Sequence, residues 1–264
     1  MIGESGAPAS TMTSPRSLLG QVGAELWSIF TKRRSLLLGM VLNAVLATGY
    51  IAFTHQRGRF QPSTVPFVAA GFVIWILADV LTTNQLGVDA DRVLASLAGG
   101  TRIRRILVVK NLALAILLLV IAVAVSVGVS AWVGRTHIVA SSILLSLCAV
   151  FGWLALGNLA SVVLPYRPVP LKERWKRRRS WLRWAVCVAA PYILLVVFPI
   201  LAVGAHLAGK ALFPRQVEHH IYGLRYALVV ALVGVAYWVV GVVLAGWYAG
   251  VRQDRFLAGL RRPD

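Results

Sequence analysis

The chain has 264 residues, of which 58% are hydrophobic and only 14% are charged, and its mean hydropathy is +0.76. Soluble domains carry about 25% charged residues, so this composition excludes an ordinary soluble fold. The formal net charge of +18 would suggest nucleic-acid binding in a soluble protein. Here the basic residues lie mainly between long apolar runs, where membrane orientation and anionic lipids explain them better. We therefore predict an all-α, polytopic membrane protein that contacts anionic lipids and no nucleic acid.

The N-terminal segment divides into a leader and an amphipathic helix. Residues 1–14 are small and polar and have no basic stretch before an apolar core, which is typical of a disordered leader rather than a cleavable signal peptide. Residues 15–34 follow the N-cap residue Ser14 and place Pro15 at the first helical position. Apolar residues then recur on one face, so we predict an elbow helix lying in the membrane interface. The alternative is a plain extension of the first span.

Six apolar segments follow, and they predict a domain of six transmembrane helices over residues 35–249. The third and fourth segments are separated by a very short connection, so we expect them to form a tight hairpin. The C-terminal residues 250–264 are rich in arginine and form a basic tail. The expected spans lie near residues 35–53, 66–86, 106–133, 138–164, 185–208 and 226–249.

Lysine and arginine are distributed unevenly between two sets of connections. The N-terminal segment, the second and fourth connections and the tail carry 21 of these residues, whereas the other three connections carry 6. Connections rich in lysine and arginine remain on the cytoplasmic side of a membrane. We therefore predict a multi-pass protein of the plasma membrane with both termini in the cytoplasm.

The connection between the second and third predicted spans contains a short helix-like segment within residues 87–100. Asp89 is a plausible N-cap, and Val93, Leu94 and Leu97 give a small apolar face. The pair Gly99-Gly100 supplies a C-terminal stop. The pattern predicts a helix of about two turns lying on the inner surface of the membrane. An ordinary ordered loop is the alternative.

Three polar residues within the predicted spans are candidates for a function in the membrane. Asp79 is the one carboxylate inside a span, and a charge at the centre of a bilayer costs about 2.5–3.5 kcal/mol on insertion scales. It either lines a translocation path, contacts a dimer partner or is satisfied locally near the interface. Asn43 and Asn158 are similar candidates for hydrogen bonds between helices.

Several stretches resemble the permease subunits of type-2 ABC transporters. These stretches are NQLGVD, the following RIRRILVVKN, the later GNLASVVLPYRP and the tail RQDRFLAGLRRPD. The likeness extends to the architecture of an elbow helix, six spans and one principal coupling loop. It departs from the family at residues 209–225, a connection too short for the re-entrant helices that many members carry. The ratio of arginine to lysine, 22 to 5, is typical of a GC-rich genome such as that of an actinobacterium.

The resemblance implies two kinds of protein partner. Members of this family form dimers, so we expect a second copy or a paralogue of this chain. Separate ATP-binding cassette subunits drive them, and the loop between the second and third spans docks on that ATPase. In this chain, the residues that correspond to the docking loop are Gly87, Asp89, Asp91, Arg92, Val93, Leu94 and Leu97.

The expected function is therefore transport, with export favoured over import by the resemblance, and not catalysis. The segment GAHLAGKA ends in Ala211, where a phosphate-binding loop would need a serine or threonine. We expect no catalytic, cofactor-binding or metal-binding residue on this chain, and we expect ATP to be bound by the partner subunit. The alternatives are a membrane-embedded enzyme that modifies lipids and a non-catalytic membrane scaffold or assembly protein.

Overall fold

The structure is a computed structural model that describes residues 17–32, 34–56, 65–77, 83–165, 181–213 and 223–261. The described residues are almost entirely helical and include no strand, which confirms the predicted all-α class. The predicted leader, residues 1–14, lies outside the described residues. The helices are α1 (Leu18–Lys32), α2 (Arg34–Gln56), α3 (Val65–Leu77), α4 (Ala90–Ala98), α5 (Ile103–Trp132), α6 (Val139–Val163), α7 (Trp181–Leu212), α8 (Leu224–Val251) and α9 (Gln253–Arg261).

Three of these helices are long and apolar enough to cross a membrane. They are α5, α8, and α6 together with the 3-10 turn that precedes it. They coincide with the third, fourth and sixth predicted spans and indicate a membrane protein. Helices α2, α3 and α7 occupy the other three predicted segments. Over the described residues, α2 and α7 contain shorter apolar stretches at Leu37–Phe53 and Pro199–Leu212.

Helix α6 lies at the centre of the bundle and contacts α3, α5, α7 and α8. Its Trp153 and Leu154 side chains are fully buried. The closest approach is to α8, where a Cβ atom added at Gly234 would lie 2.6 Å from the Cα of Cys148. One added at Gly241 would lie 2.8 Å from the Cα of Ala155. Both pairs of residues are seven apart, so the two helices run side by side in the same direction with small residues at their contact.

Helices α5 and α6 form the tight hairpin that the sequence predicts. Helix α5 ends in a Schellman motif, because the amide of Gly134 donates to the carbonyl of Ala131 at 3.1 Å and that of Arg135 donates to Ser130 at 2.8 Å. Gly134 has a φ of 70°, a left-handed conformation that glycine adopts without a steric penalty. The turn reverses the chain within a few residues.

Two amphipathic helices flank the bundle at the end where α5 begins and α8 ends. Helix α1 packs against α5, with Ile29 buried and Trp27 exposed. Its bounds agree with the elbow helix predicted over 15–34, whose place in the membrane interface remains a prediction. Helix α9 occupies most of the predicted basic tail and buries Phe256 and Leu260. The apolar residues are four apart and share one helical face, so this part of the tail is a packed helix.

Candidate functional site

Helix α4 begins and ends close to where the sequence predicts. The amide of Gly100 donates to the carbonyl of Leu97 and that of Thr101 donates to Ser96, both at 3.0 Å. This is a Schellman motif, and Gly100 adopts its left-handed position with a φ of 81°. The predicted short helix and its glycine stop are therefore both confirmed, and the alternative of an ordinary loop is wrong. The location of this helix on the inner surface of the membrane remains a prediction.

The faces of α4 have different environments. Ala90 and Val93 are buried in a cluster with Leu86, Phe256 and Leu260, which ties α4 to the C-terminal helix α9. Leu94 and Leu97 pack against the edge of the same cluster. On the opposite side, Asp91 and Ala95 are exposed. Of the seven residues predicted to form the coupling surface, Asp91 and Arg92 are the two that are exposed.

A charged cluster, formed by Glu25, Asp89, Arg92 and Lys110, joins α4 to α1 and α5. The ammonium nitrogen of Lys110 lies 2.9 Å from Oε1 of Glu25 and 2.7 Å from Oδ2 of Asp89. Lys110 is only 6% exposed and Glu25 only 4%. Asp89 precedes the first residue of α4 but makes no side-chain capping hydrogen bond. Asp89 therefore occupies the predicted N-cap position, but its carboxylate binds Lys110 instead of the backbone amides of the first turn.

Arg92 completes the charged cluster from the solvent side. Its Nη1 lies 2.9 Å from Oε2 of Glu25 and 3.9 Å from Oδ2 of Asp89, and it donates to Oγ of Ser28 at 3.3 Å. The cluster therefore pairs two carboxylates with two cations. Buried charges are stable only when they are paired and hydrogen-bonded, so these contacts link α1, α4 and α5 to one another.

A second set of polar contacts lies deeper, around Ser161 of α6. The Ser161 hydroxyl donates to the carbonyl of Thr83 at 3.0 Å and accepts from the amide of Gln85 at 3.0 Å. The backbone leaves helical geometry at this point, so its polar groups need a partner inside the protein. One hydroxyl supplies both contacts and holds the segment before α4 against α6.

The same polar layer links α5 to α6. Asn111 donates to the Asn158 side-chain oxygen at 2.6 Å and to the carbonyl of Leu107 at 2.7 Å. The Gln85 side chain donates to the Asn111 oxygen at 3.4 Å. Both asparagines are fully buried, so these bonds form in a dry environment. We refer to Gln85, Asn111, Asn158 and Ser161 as the polar layer.

The structure brings some predicted site residues together and leaves others apart. Asn158 belongs to the polar layer, and Gly87 is buried in the turn before α4. Asn43 lies half-buried on α2, away from the charged cluster and the polar layer. Asp79 lies outside the described residues. Its assignment to a pathway or to a dimer contact remains a prediction.

The sequence analysis did not identify Glu25 or Lys110 as site residues. A usable signal exists for Lys110, which lies in the apolar sequence LVVKN at the start of α5. A charge within such a run requires a partner. The sequence analysis assigned Lys110 to the basic residues of a connection. It assigned Glu25 to the polar face of the elbow helix.

Searches of protein-family models, curated proteins and solved structures returned no match to this chain. The resemblance to type-2 ABC permeases therefore rests on the sequence segments and the helix order described above.

Proposed function

We propose that this protein is the membrane-spanning subunit of an ATP-driven ABC transporter of the plasma membrane. In this proposal the chain crosses the membrane six times, has both termini in the cytoplasm and pairs with a second copy or a paralogue. A separate ATPase subunit hydrolyses ATP, and export is favoured over import by the family resemblance. In this proposal the chain supplies the substrate path through the membrane and the mechanical link to the ATPase, and the ATPase supplies the catalysis of ATP hydrolysis.

The observation that carries the proposal is the attachment of α4. The helix lies between α3 and α5 in the chain, exposes Asp91 and Ala95, and packs through its buried face against neighbouring elements. Lys110, on the spanning helix α5, binds Asp89 directly before α4. A displacement of α4 therefore acts on a transmembrane helix through a buried ion pair rather than through a flexible loop.

Movement would pass from α4 along two routes. The charged cluster carries it to α1 and to the first turns of α5, because Lys110 and Arg92 both contact Glu25. The polar layer carries it to the central helix α6, because Asn111 on α5 binds Asn158. Closure of an ATPase against the exposed side of α4 would change the arrangement of these helices. The substrate path would then open to one side of the bilayer and close to the other.

The experiment that tests this proposal is purification of the full-length chain from its native membranes in mild detergent. We expect an ATPase of the cassette class to co-purify, as identified by mass spectrometry. Asp91→Arg combined with Ala95→Glu should reduce the co-purified ATPase activity at least tenfold, because both positions are exposed on α4. Neither position belongs to the buried face of α4, which Ala90 and Val93 form.

Asp254→Arg combined with Arg255→Glu on α9 is the matched control, since these residues are also exposed and bear charge on a short helix at the same end of the bundle. This control should retain the ATPase. Absence of any ATPase from the wild-type preparation would contradict the proposal and favour a lipid-modifying enzyme or a membrane scaffold. If the α4 and α9 variants retained equal amounts of the ATPase, α4 would not be the docking surface.

A further inference from the structure

An open groove of about 740 Å³ lies between α4, the first turn of α5, the end of α8 and the C-terminal helix α9. Its volume is within the range of about 300–1,000 Å³ that is typical of ligand pockets. Leu97, Ile103 and Leu257 contribute apolar walls. At Gly250 an added Cβ would meet no atom within 4 Å, so the absence of a side chain keeps this part of the groove open.

The groove carries positive charge. Arg102 and Arg261 line it, together with the polar side chains of Thr101 and Gln253. Both arginines are exposed, and none of the described residues that line the groove is acidic. The Arg104 side chain lies beside the groove against Gly246. The groove therefore combines apolar walls with two guanidinium groups and has no carboxylate among its described lining residues.

The position of the groove matches the boundary between hydrocarbon and lipid headgroups. Its walls include Ile103, the first residue of the spanning helix α5, and Gly250, next to the last residue of the spanning helix α8. The ends of membrane-spanning helices lie at this boundary. Basic pockets between such helices are suited to the phosphate groups of anionic lipids.

We propose that this groove is a binding site for one anionic phospholipid of the adjacent leaflet. The lipid phosphate pairs with Arg102 and Arg261, and part of an acyl chain lies against Leu97, Ile103 and Leu257. The bound lipid joins α4 to α9, because each helix supplies part of the site. The inference requires a membrane protein and does not depend on the transporter proposal.

The test uses the purified full-length protein in a neutral detergent. We expect phosphatidylglycerol to raise the midpoint of thermal unfolding saturably, whereas phosphatidylcholine with the same acyl chains should have little effect. Native mass spectrometry should show one retained phosphatidylglycerol per chain. Equal stabilisation by the two lipids would overturn the proposal, since their acyl chains are the same and phosphatidylcholine carries no net charge.

Two variants locate the effect in the groove. Arg102→Gln combined with Arg261→Gln should raise the phosphatidylglycerol concentration needed for half of the shift at least tenfold. The matched control, Arg252→Gln combined with Arg255→Gln, removes the same charge from exposed residues outside the groove and should keep the wild-type response. Identical responses of the two double variants would overturn the proposal.

Gly250→Leu tests the groove without any change of charge. Because a Cβ there meets no neighbouring atom, the variant should fold normally and weaken the phosphatidylglycerol response by filling the open space. An unchanged response would count against binding in the groove.

Two further experiments distinguish lipid binding from the binding of other anions and of a protein partner. Inorganic phosphate and glycerol phosphate should not reproduce the shift, and a full shift with either would indicate a soluble-anion site instead. Loss of a co-purifying ATPase from the Arg102/Arg261 double variant, with an unchanged response to phosphatidylglycerol, would assign the groove to a protein contact and contradict the lipid proposal.

Discussion

The α4 end of the bundle and the contact between α6 and α8 hold their helices together by different interactions. At the α4 end, Lys110 forms ion pairs with carboxylates from α1 and from the segment before α4. Between α6 and α8, the backbones themselves approach closely, with Gly234 against Cys148 and no space for an added methyl group. One region depends on charge and hydrogen bonding, and the other depends on shape.

This difference indicates which part of the molecule can rearrange. Arg92 is 49% exposed, so it can exchange Glu25 for water or for a protein partner when α4 moves. The α6–α8 contact has no such exchange available, because close packing of two backbones is lost as soon as they separate. We expect the α4 end to be the adjustable region and the α6–α8 contact to be the rigid one.

The largest decrease in the free energy of unfolding is expected from Lys110→Met. The substitution leaves the buried Glu25 and the largely buried Asp89 with Arg92 as their shared cation in the cluster. Removal of one partner from a buried ion pair costs about 3–5 kcal/mol. We expect this loss in the free energy of unfolding, measured by reversible denaturant unfolding in detergent or bilayer fragments.

Two further variants determine whether the loss at Lys110 comes from charge imbalance. Adding Asp89→Asn to Lys110→Met leaves one carboxylate with one cation, so the double variant should regain most of the stability. Arg105→Gln, which removes an exposed arginine bonded to Gln21, should change the stability by less than about 0.5 kcal/mol. A double variant as unstable as Lys110→Met would show that charge balance does not hold the α4 end together.

The second largest effect is expected from Gly234→Leu at the α6–α8 contact. Because a Cβ there would lie 2.6 Å from the Cα of Cys148, the helices must separate, at a cost of about 1–3 kcal/mol. The free energy of unfolding and the cross-linking distance between α6 and α8 would both report this change. Gly128→Ala on α5 is the control, since its added Cβ meets no atom within 4 Å. Equal stability of the two variants would contradict a rigid α6–α8 contact.

The elements that the sequence predicts well carry local signals. The stop of α4 follows from adjacent glycines, one of which adopts a left-handed conformation at Gly100. The α5–α6 hairpin follows from two apolar runs with a very short connection, and Gly134 ends the first of them. Both signals lie within a few residues of the feature that they predict, because helix capping is a local interaction.

The charged cluster lacks a signal of this kind. Lys110 and Glu25 are 85 residues apart, and their pairing depends on how α1 packs against α5. Asp89 occupies the N-cap position, but its carboxylate pairs with the buried ammonium group of Lys110, which needs a partner of opposite charge. The helical tail was missed for a different reason, since its large apolar residues Phe256, Leu257 and Leu260 fall within five positions flanked by arginines.

The smallest predicted change in the free energy of unfolding comes from substitution of two buried serines, one in each half of the bundle. The Ser161 hydroxyl makes two bonds to backbone groups before α4, whereas the Ser126 hydroxyl on α5 is buried without a hydrogen-bond partner among the described residues. Ser161→Ala removes both of these buried hydrogen bonds and should cost about 1 kcal/mol. Ser126→Ala removes a hydroxyl that forms no such bond, so it should leave the free energy of unfolding unchanged or slightly increase it.

Hydrogen exchange sharpens the comparison between the two serines. Ser161→Ala should accelerate exchange at the Gln85 amide, because the bond to the Ser161 hydroxyl is lost, and should leave the amides of α8 unaffected. Ser126→Ala should accelerate neither. Faster exchange along α8 in the Ser161 variant would mean that the α4 end and the α6–α8 contact open as one unit. In that case a partner pushing on α4 would move the whole bundle, and the division into an adjustable and a rigid region would be wrong.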